Sequence, residues 1–301
     1  MAPQVTQLFL CLFLIFFLVP SNICLMEIEE INCVKLSPFE FLKNLQGNKK
    51  GDHVKKLHHF QKYLNQFGYL ESLDENDEFD DDLEFAIITY QLNYNLNITG
   101  VIDFETVSKM SIPRCGMPDI INGTNNMYHH GSNPFHIVSH YSFFKNFPKW
   151  PKTLLTYGFK PGFPIEFMPA IGLAFYKWAE ATNFEFLPTF IGDQNADLHI
   201  AFVSGDHGDN APFDGPGGVL AHASPPTFGQ FHLDATEPWS IGAAPEKIDM
   251  ISVAMHEIGH LLGLEHSKVE AAVMYPYIGH GVDKTTLNED DIAGIRALYG
   301  L

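Results

Sequence analysis

His256-Glu257-Ile258-Gly259-His260-Leu261-Leu262-Gly263-Leu264-Glu265-His266 is the stretch on which the reading of this chain turns. The apolar run before it, Ile248 to Met255, predicts the start of a buried helix. On that helix His256 and His260 lie one turn apart on a shared face. Two neutral imidazoles so arranged can grip one metal ion, and zinc suits them best. Glu257 stands beside them without being needed as a ligand. Gly263 permits a sharp turn, since glycine takes positive φ without penalty, and the turn brings His266 back as a third ligand. Three protein ligands leave one zinc position for water, the open geometry of a catalytic site. Zinc lowers the pKa of such a water to about 7, and a carboxylate can then take its proton. A buried helix with hydrogen-bonded histidines would explain the first five residues alone; the extension through Gly263 to His266 is a much rarer pattern.

The whole pattern resembles the metzincin zinc endopeptidases. Ser267, directly after the third histidine, is similar to the matrixin branch, the matrix metalloproteinases. Val273-Met274-Tyr275-Pro276 resembles that family's Met-turn, in which Met274 would be a floor beneath the histidines and not a ligand. Upstream, Pro113-Arg114-Cys115-Gly116-Met117-Pro118-Asp119 resembles the matrixin cysteine switch. Zinc deprotonates a coordinating thiol, so Cys115 can fill the fourth zinc position, displace water and keep a proenzyme silent. Arg114 is expected to hold this loop through a carboxylate, with Asp119 the candidate. A disulfide to Cys33 is the alternative fate for the thiol.

The chain has 301 residues and a formal net charge of −18. That length allows two compact units after processing, and the charge argues against nucleic acid or an anionic membrane surface as partner. Residues 1–24 read as a secretory signal peptide. Leu8 to Val19 is apolar, ends at Pro20 and is short for a bilayer, although no Lys or Arg precedes it. Cleavage is expected between Ser21 and Met26; an uncleaved anchor is the alternative. No later apolar run is long enough to cross a membrane, and Ile295 to Leu301 is not a lipid-anchor signal. Of four cysteines, Cys11 and Cys24 lie in or beside the signal, leaving Cys33 and Cys115. Asn97-Ile98-Thr99 and Asn122-Gly123-Thr124 are usable glycosylation sequons in a secreted chain. The expectation is a secreted, extracellular glycoprotein of the apoplast or extracellular matrix, monomeric and without a membrane anchor once mature.

Residues 25–119 read as a helical pro-domain. Val54, Leu57, Phe60, Leu64 and Phe67 recur at helical spacing, and Gly68 fits a stop. Leu83, Ala86, Ile87 and Tyr90 share a face of a second helix, and Asp103 predicts the cap of a short third one. This small three-helix bundle resembles the peptidoglycan-binding-like pro-domain of matrixins, which implies cell-wall sugar binding as a second role. The nine acidic residues from Glu71 to Glu84 read as a solvated loop and helix start. Residues 120–148 read as an exposed linker where activation cleavage falls, with His129, His130, His136 and His140 solvated and not a metal tract. Residues 149–301 read as the catalytic domain. Strands at Leu154 to Phe159, Phe184 to Leu187 and Leu198 to Phe202, with a helix from Pro169 to Ala181, predict an α+β fold. The resemblance implies a mixed twisted sheet with packed helices, in the layout of plant matrixins that lack a hemopexin domain.

His207, Asp209, His222 and His232 can form a closed tetrahedral site with no place for water. All four positions match the family's structural zinc. Asp214, Asp234 and Glu237 supply hard oxygens, and the carbonyls of Gly215, Gly217 and Val219 can complete a calcium shell. A second family calcium site uses an aspartate where this chain has Gln230, with Asp197 as its other side-chain ligand, so that site is expected to be weakened. The cofactors expected are two zinc ions and at least one calcium. Val219-Leu220-Ala221 should be an edge strand to which a protein or peptide substrate adds. Pro276-Tyr277-Ile278 should wall one side-chain pocket. Ser252, four residues before the first zinc histidine, should leave that pocket open for a large apolar P1′ side chain. Asn288 predicts the cap of a C-terminal helix. Of Asp290 and Asp291, the resemblance implies that one receives the new N-terminal ammonium and the other braces the Met-turn; an ordinary surface pair is the alternative. The function implied is a latent zinc endopeptidase with Glu257 as general base. A non-catalytic binding protein on the same fold is the alternative, against which the intact Glu257 argues.

Overall fold

Apolar residues at helical spacing and two aspartate caps build the first half of the chain. A computed structural model describes residues 37–73, 76–125, 127 and 140–301. The signal peptide, Cys33, His129, His130 and His136 lie outside these residues. Helix α1 (Leu57–Gln66) runs to Gly68, α2 (Asp81–Asn93) follows Asp80, and α3 (Phe104–Met110) follows Asp103. The carboxylates of Asp80 and Asp103 accept from the Leu83 and Thr106 amides, both at 2.8 Å, satisfying donors that a helix start leaves orphaned. Leu57, Phe60, Leu64, Leu83, Ile87, Tyr90 and Val107 close a first core. A 3₁₀ turn at Glu40–Leu45 adds Leu42 and Leu45 to it. The same core also contains Phe213, Val219, Tyr275 and Tyr277 from the second half of the chain.

Three short strands follow: β1 (Arg114–Cys115), β2 (Ile120–Ile121) and β3 (Thr124–Asn125). Then come β4 (Leu154–Phe159), α4 (Met168–Ala181), β5 (Glu185–Pro188), β6 (Leu198–Val203), β7 (Val219–Ala223), β8 (Gln230–Asp234), β9 (Trp239–Ser240), β10 (Ile248–Asp249), α5 (Met250–Leu261) and α6 (Glu289–Tyr299). The main sheet has the order β1-β7-β8-β6-β4-β5. Strands β7 and β8 are antiparallel and the other neighbours parallel, so the sheet is mixed and the architecture α+β. Helices α4 and α5 pack together in a second core, where Trp178 donates from its indole to the Met255 carbonyl at 2.8 Å. Every residue of α5 is buried. Such a helix needs apolar residues all round, which is why its few polar side chains stand out as chemistry.

The exposed linker expected over 120–148 needs correction at both ends. Strands β2 and β3 form a small antiparallel hairpin, and Met127 is wholly buried in the first core. Ser142 is buried and donates to the His266 carbonyl at 2.7 Å, while Phe143 bridges to Leu264 and Phe144 is buried. Burying the aromatics of this stretch offsets the cost of ordering it, a contribution that the polar composition of the preceding tract obscures.

Candidate active site

Helix α5 is capped by Asp249, whose carboxylate accepts the Ser252 amide at 3.0 Å. It carries His256 and His260 on one face and ends at Leu261. Gly263 has φ +103°, and the reversed chain returns His266 to the same place. The Nε2 atoms of His256 and His260 lie 3.1 Å apart, and Cys115 Sγ lies 3.5 Å from His260 Nε2. Ligand atoms of His256, His260, His266 and Cys115 all fall within 4.8 Å of one another, in a wholly buried group.

The far side of each ring decides its tautomer. His256 Nδ1 faces the Val273 carbonyl at 2.7 Å, His260 Nδ1 the Leu264 carbonyl at 2.8 Å, and His266 Nδ1 the Asp119 carboxylate at 2.8 Å. These partners can only accept, so each ring proton sits on Nδ1 and each Nε2 presents a lone pair inward. His266 Nε2 is buried and has no hydrogen-bond partner among the described residues. Burial, then the neighbouring imidazoles, hold His256 and His260 well below the ordinary histidine range. Burial, then Glu257, pushes the Cys115 thiol well up. Three facing lone pairs and a sulfur are a donor set that fits zinc. Glu257 is wholly buried beside this group with neither oxygen hydrogen-bonded to a described residue, and burial raises it to about 8.

Met274 lies beneath the histidine helix, and its position explains a residue that sequence reading passed over. Glycine inside a helix costs about 1 kcal/mol relative to alanine. At Gly259, however, a Cβ would collide with Met274 Sδ and crowd the Trp178 ring. Gly259→Ala should therefore destabilise the chain by about 1–3 kcal/mol despite its better helix propensity, read as a lower denaturant midpoint. An unchanged or raised midpoint would show that Met274 yields freely. The turn containing Met274 is held by Asp291, whose carboxylate accepts the Val273 amide at 2.9 Å and the Met274 amide at 3.0 Å. Asp290 accepts from Ser267 Oγ at 2.7 Å and from the His140 amide at 2.9 Å.

Cys115 reaches the site on an extended segment wedged between two walls. The Arg114 amide donates to the Gly218 carbonyl (3.0 Å) and the Gly116 amide to the Ala221 carbonyl (2.8 Å). On the other side the Cys115 amide donates to the Pro276 carbonyl (2.9 Å), and the Ile278 amide donates to the Pro113 carbonyl (3.0 Å). Leu220 and Ala221 of β7 and Pro276 are thus the borders of a groove this segment fills, with β1 parallel to β7. Two side chains named for the substrate pocket make hydrogen bonds to other elements in this structure. The Tyr277 hydroxyl lies 3.1 Å from that of Tyr63 and 2.7 Å from that of Tyr90, and it accepts from Arg114 Nη1 at 3.3 Å. Ser252 is wholly buried, its hydroxyl donating to Asp249 at 2.6 Å and accepting the Lys284 amide at 2.8 Å. It ties down the loop that follows Ile278. Arg114 is forked onto Asp119, Nη2 to Oδ1 at 2.8 Å and Nη1 to Oδ2 at 3.1 Å, both side chains fully buried.

His207, Asp209, His222 and His232 also come together within 4.8 Å. Asp209 Oδ2 lies 2.9 Å from His207 Nε2 and 2.8 Å from both His222 Nε2 and His232 Nδ1. Burial lowers His222 to about 4 and lowers His232, so these two rings present neutral imidazoles beside the carboxylate, with His207 completing the group. On the neighbouring loop, Asp234 Oδ2 and Glu237 Oε2 are buried without a hydrogen-bond partner among the described residues. Burial raises Asp214 to about 6 and Glu237 to about 8, and the neighbouring Asp234 carboxylate pushes both the same way. Hard oxygens left orphaned in this way fit calcium. The Val219 amide donates to Asp214 at 2.9 Å, fixing that carboxylate against the strand that also offers the Val219 carbonyl. Asp197 is occupied by Lys152 at 2.7 Å and by the Thr156 amide and hydroxyl. An ammonium already neutralises the carboxylate that a second calcium would need.

Residues 149–300 match the Matrixin family, and residues 54–110 match the Putative peptidoglycan binding domain. The chain is 41% identical to Metalloendoproteinase 2-MMP of Arabidopsis thaliana, over 87% of this chain and 75% of that protein. It is 44% identical to Metalloendoproteinase 1 of Glycine max, over 83% of this chain and 84% of that protein. Identity to human Neutrophil collagenase is 40%, over 69% of this chain and 42% of the relative. Two family matches in the same order as the two cores, together with this histidine geometry, mean that the chain belongs to the matrixins and is a zinc metalloendopeptidase.

Proposed function

We propose that the chain is a secreted endopeptidase made as a latent zymogen, with His256, His260 and His266 holding the catalytic zinc and Cys115 its inhibitory fourth ligand. Residues 1–24 are the signal, 25–119 the latency unit, and activation cleavage falls within 120–148. The observation that carries this reading is the convergence of three inward Nε2 atoms and one thiol in a buried group beside an unpartnered carboxylate. Zinc, when bound there, supplies Lewis-acid activation of a water and of the scissile carbonyl. Glu257 takes the proton of that water onto its carboxylate and passes it to the leaving amine. The Ala221 and Pro276 carbonyls, engaged by the Gly116 and Cys115 amides in the latent chain, become the acceptors for a substrate backbone.

The test is hydrolysis of quenched peptides by the matured protein, with and without a zinc chelator. Turnover that disappears with chelator and returns with zinc supports the reading. Peptide binding without turnover would favour the non-catalytic alternative.

His207, Asp209, His222 and His232 hold a second, structural zinc in this reading. Asp214, Asp234 and Glu237, with the carbonyls of Gly215, Gly217 and Val219, hold calcium. Calcium at a hundredfold excess over its Kd should stabilise the fold by about 2.7 kcal/mol. Removing calcium with a selective chelator should lower the thermal midpoint, and adding calcium back should restore it. A midpoint indifferent to calcium would remove the ion from this loop.

A further inference from the structure

Asp119 closes the inhibitory heptapeptide, and its carboxylate is used to capacity. Oδ2 accepts from Tyr69 and Tyr94 hydroxyls at 2.8 and 2.7 Å and from Arg114 Nη1 at 3.1 Å. Oδ1 accepts from Arg114 Nη2 at 2.8 Å and from His266 Nδ1 at 2.8 Å. Asp119 is 0% and His266 1% exposed, so neither end of the last bond can exchange its partner for water.

The three ligand histidines are not oriented alike. His256 and His260 lean on the Val273 and Leu264 carbonyls, which belong to the catalytic half of the chain. His266 alone leans on a carboxylate, and that carboxylate belongs to the latency segment. We propose that Asp119 is a positioning residue for the third metal ligand: it completes an Asp119–His266–metal relay that exists only while the leader is docked. The inference rests on the zinc reading given above and adds a regulatory feature to it. A carboxylate accepting Nδ1–H fixes the ring's orientation and makes Nε2 a stronger donor than a ring without that partner. The leader then tightens the ion as well as covering it, and its loss leaves His266 without its anionic partner.

Asp119 also pairs with Arg114, so a pure clamping role must be separated from positioning. Two variants of the full-length latent chain do this in a Cys115→Ser background, where the sulfur ligand is already gone. Asp119→Asn weakens the relay and the clamp together; Tyr94→Phe removes one clamping bond to Oδ2 and leaves Oδ1 on both Arg114 and His266. Zinc is the probe, competed by a chromophoric chelator, and the site is identified as the zinc equivalent that His256→Ala eliminates. Asp119→Asn should weaken retention of that equivalent by about 10–100-fold, whereas Tyr94→Phe should change it little. Equal weakening by both variants would reduce Asp119 to a clamp and overturn the proposal. A second measurement needs no substitution at Asp119. Matured wild-type protein should release its zinc to the chelator more readily than the latent Cys115→Ser chain, and equal release would overturn the relay. If the wild-type chain has no His256-dependent zinc at all, the metal reading itself fails. If that zinc is present and Asp119→Asn leaves it unmoved, only the relay fails.

Discussion

Glu257→Ala in the matured protein should lower kcat/KM by about 10²–10⁴-fold, with zinc content unchanged. That range corresponds to about 3–5.5 kcal/mol of lost transition-state stabilisation. Glu257 follows directly on His256 yet supplies none of the converging ligand atoms, so its removal leaves the donor set intact. Its two oxygens have no hydrogen-bond partner among the described residues, so no structural network collapses with it. Those two facts separate a base from a ligand. The measurement is a rate with quenched peptide alongside zinc analysis of the same sample. A near-normal rate would show that the proton goes elsewhere; loss of zinc would show that Glu257 helps hold the ion.

Arg114→Ala should unseat the latency segment. The guanidinium is fully buried, forked onto Asp119 and stacked with its Cζ 3.7 Å from the centre of the Phe67 ring. Burial pushes Asp119 up, but Arg114 and then His266 outweigh it and hold the carboxyl below its usual range. Removing one member of a buried pair strands the other and costs about 3–5 kcal/mol. Because Cys115 is the next residue, the loss falls on the segment that carries the thiol. The sign with pH follows from the depressed carboxyl. Its contribution to the latent state is present above the unfolded value and fades as pH falls through the folded one, so the deficit of the variant should be full at neutral pH. Uncleaved Arg114→Ala protein should hydrolyse peptide without activation, whereas the uncleaved wild type stays silent. Continued silence of the variant would mean that the backbone bonds to Gly218, Ala221 and Pro276 suffice to hold the segment.

Much of the fold can be read from residue order because its causes are local. The caps at Asp103 and Asn288, the strand at Leu154–Phe159 and the glycine turn at Gly263 each depend on a few neighbouring residues. The two converging groups of histidines with Cys115 or Asp209 were legible for a related reason, since metal chemistry restricts both residue type and spacing. What stayed hidden depends on contacts across long separations. His266 and Asp119 are 147 residues apart, and nothing local marks the second as partner of the first. Tyr277 reads as a pocket wall, yet its ring is claimed by Tyr63, Tyr90 and Tyr94. Lys152 looks like any surface lysine until it is found on Asp197. The 3₁₀ turn at Glu40–Leu45 is too short to show a period, and packing against the first core is what supports it.

The first core is shared between leader and enzyme: Phe213, Val219, Tyr275 and Tyr277 are built into it. If the chain is the proposed zymogen, a nick in the connector severs it without freeing the inhibitory segment. Cleaved molecules stay shut until the two fragments dissociate, and dissociation must bare those four apolar residues to water. Activation should accordingly show a lag after scission that mild denaturant shortens and added free leader fragment prolongs.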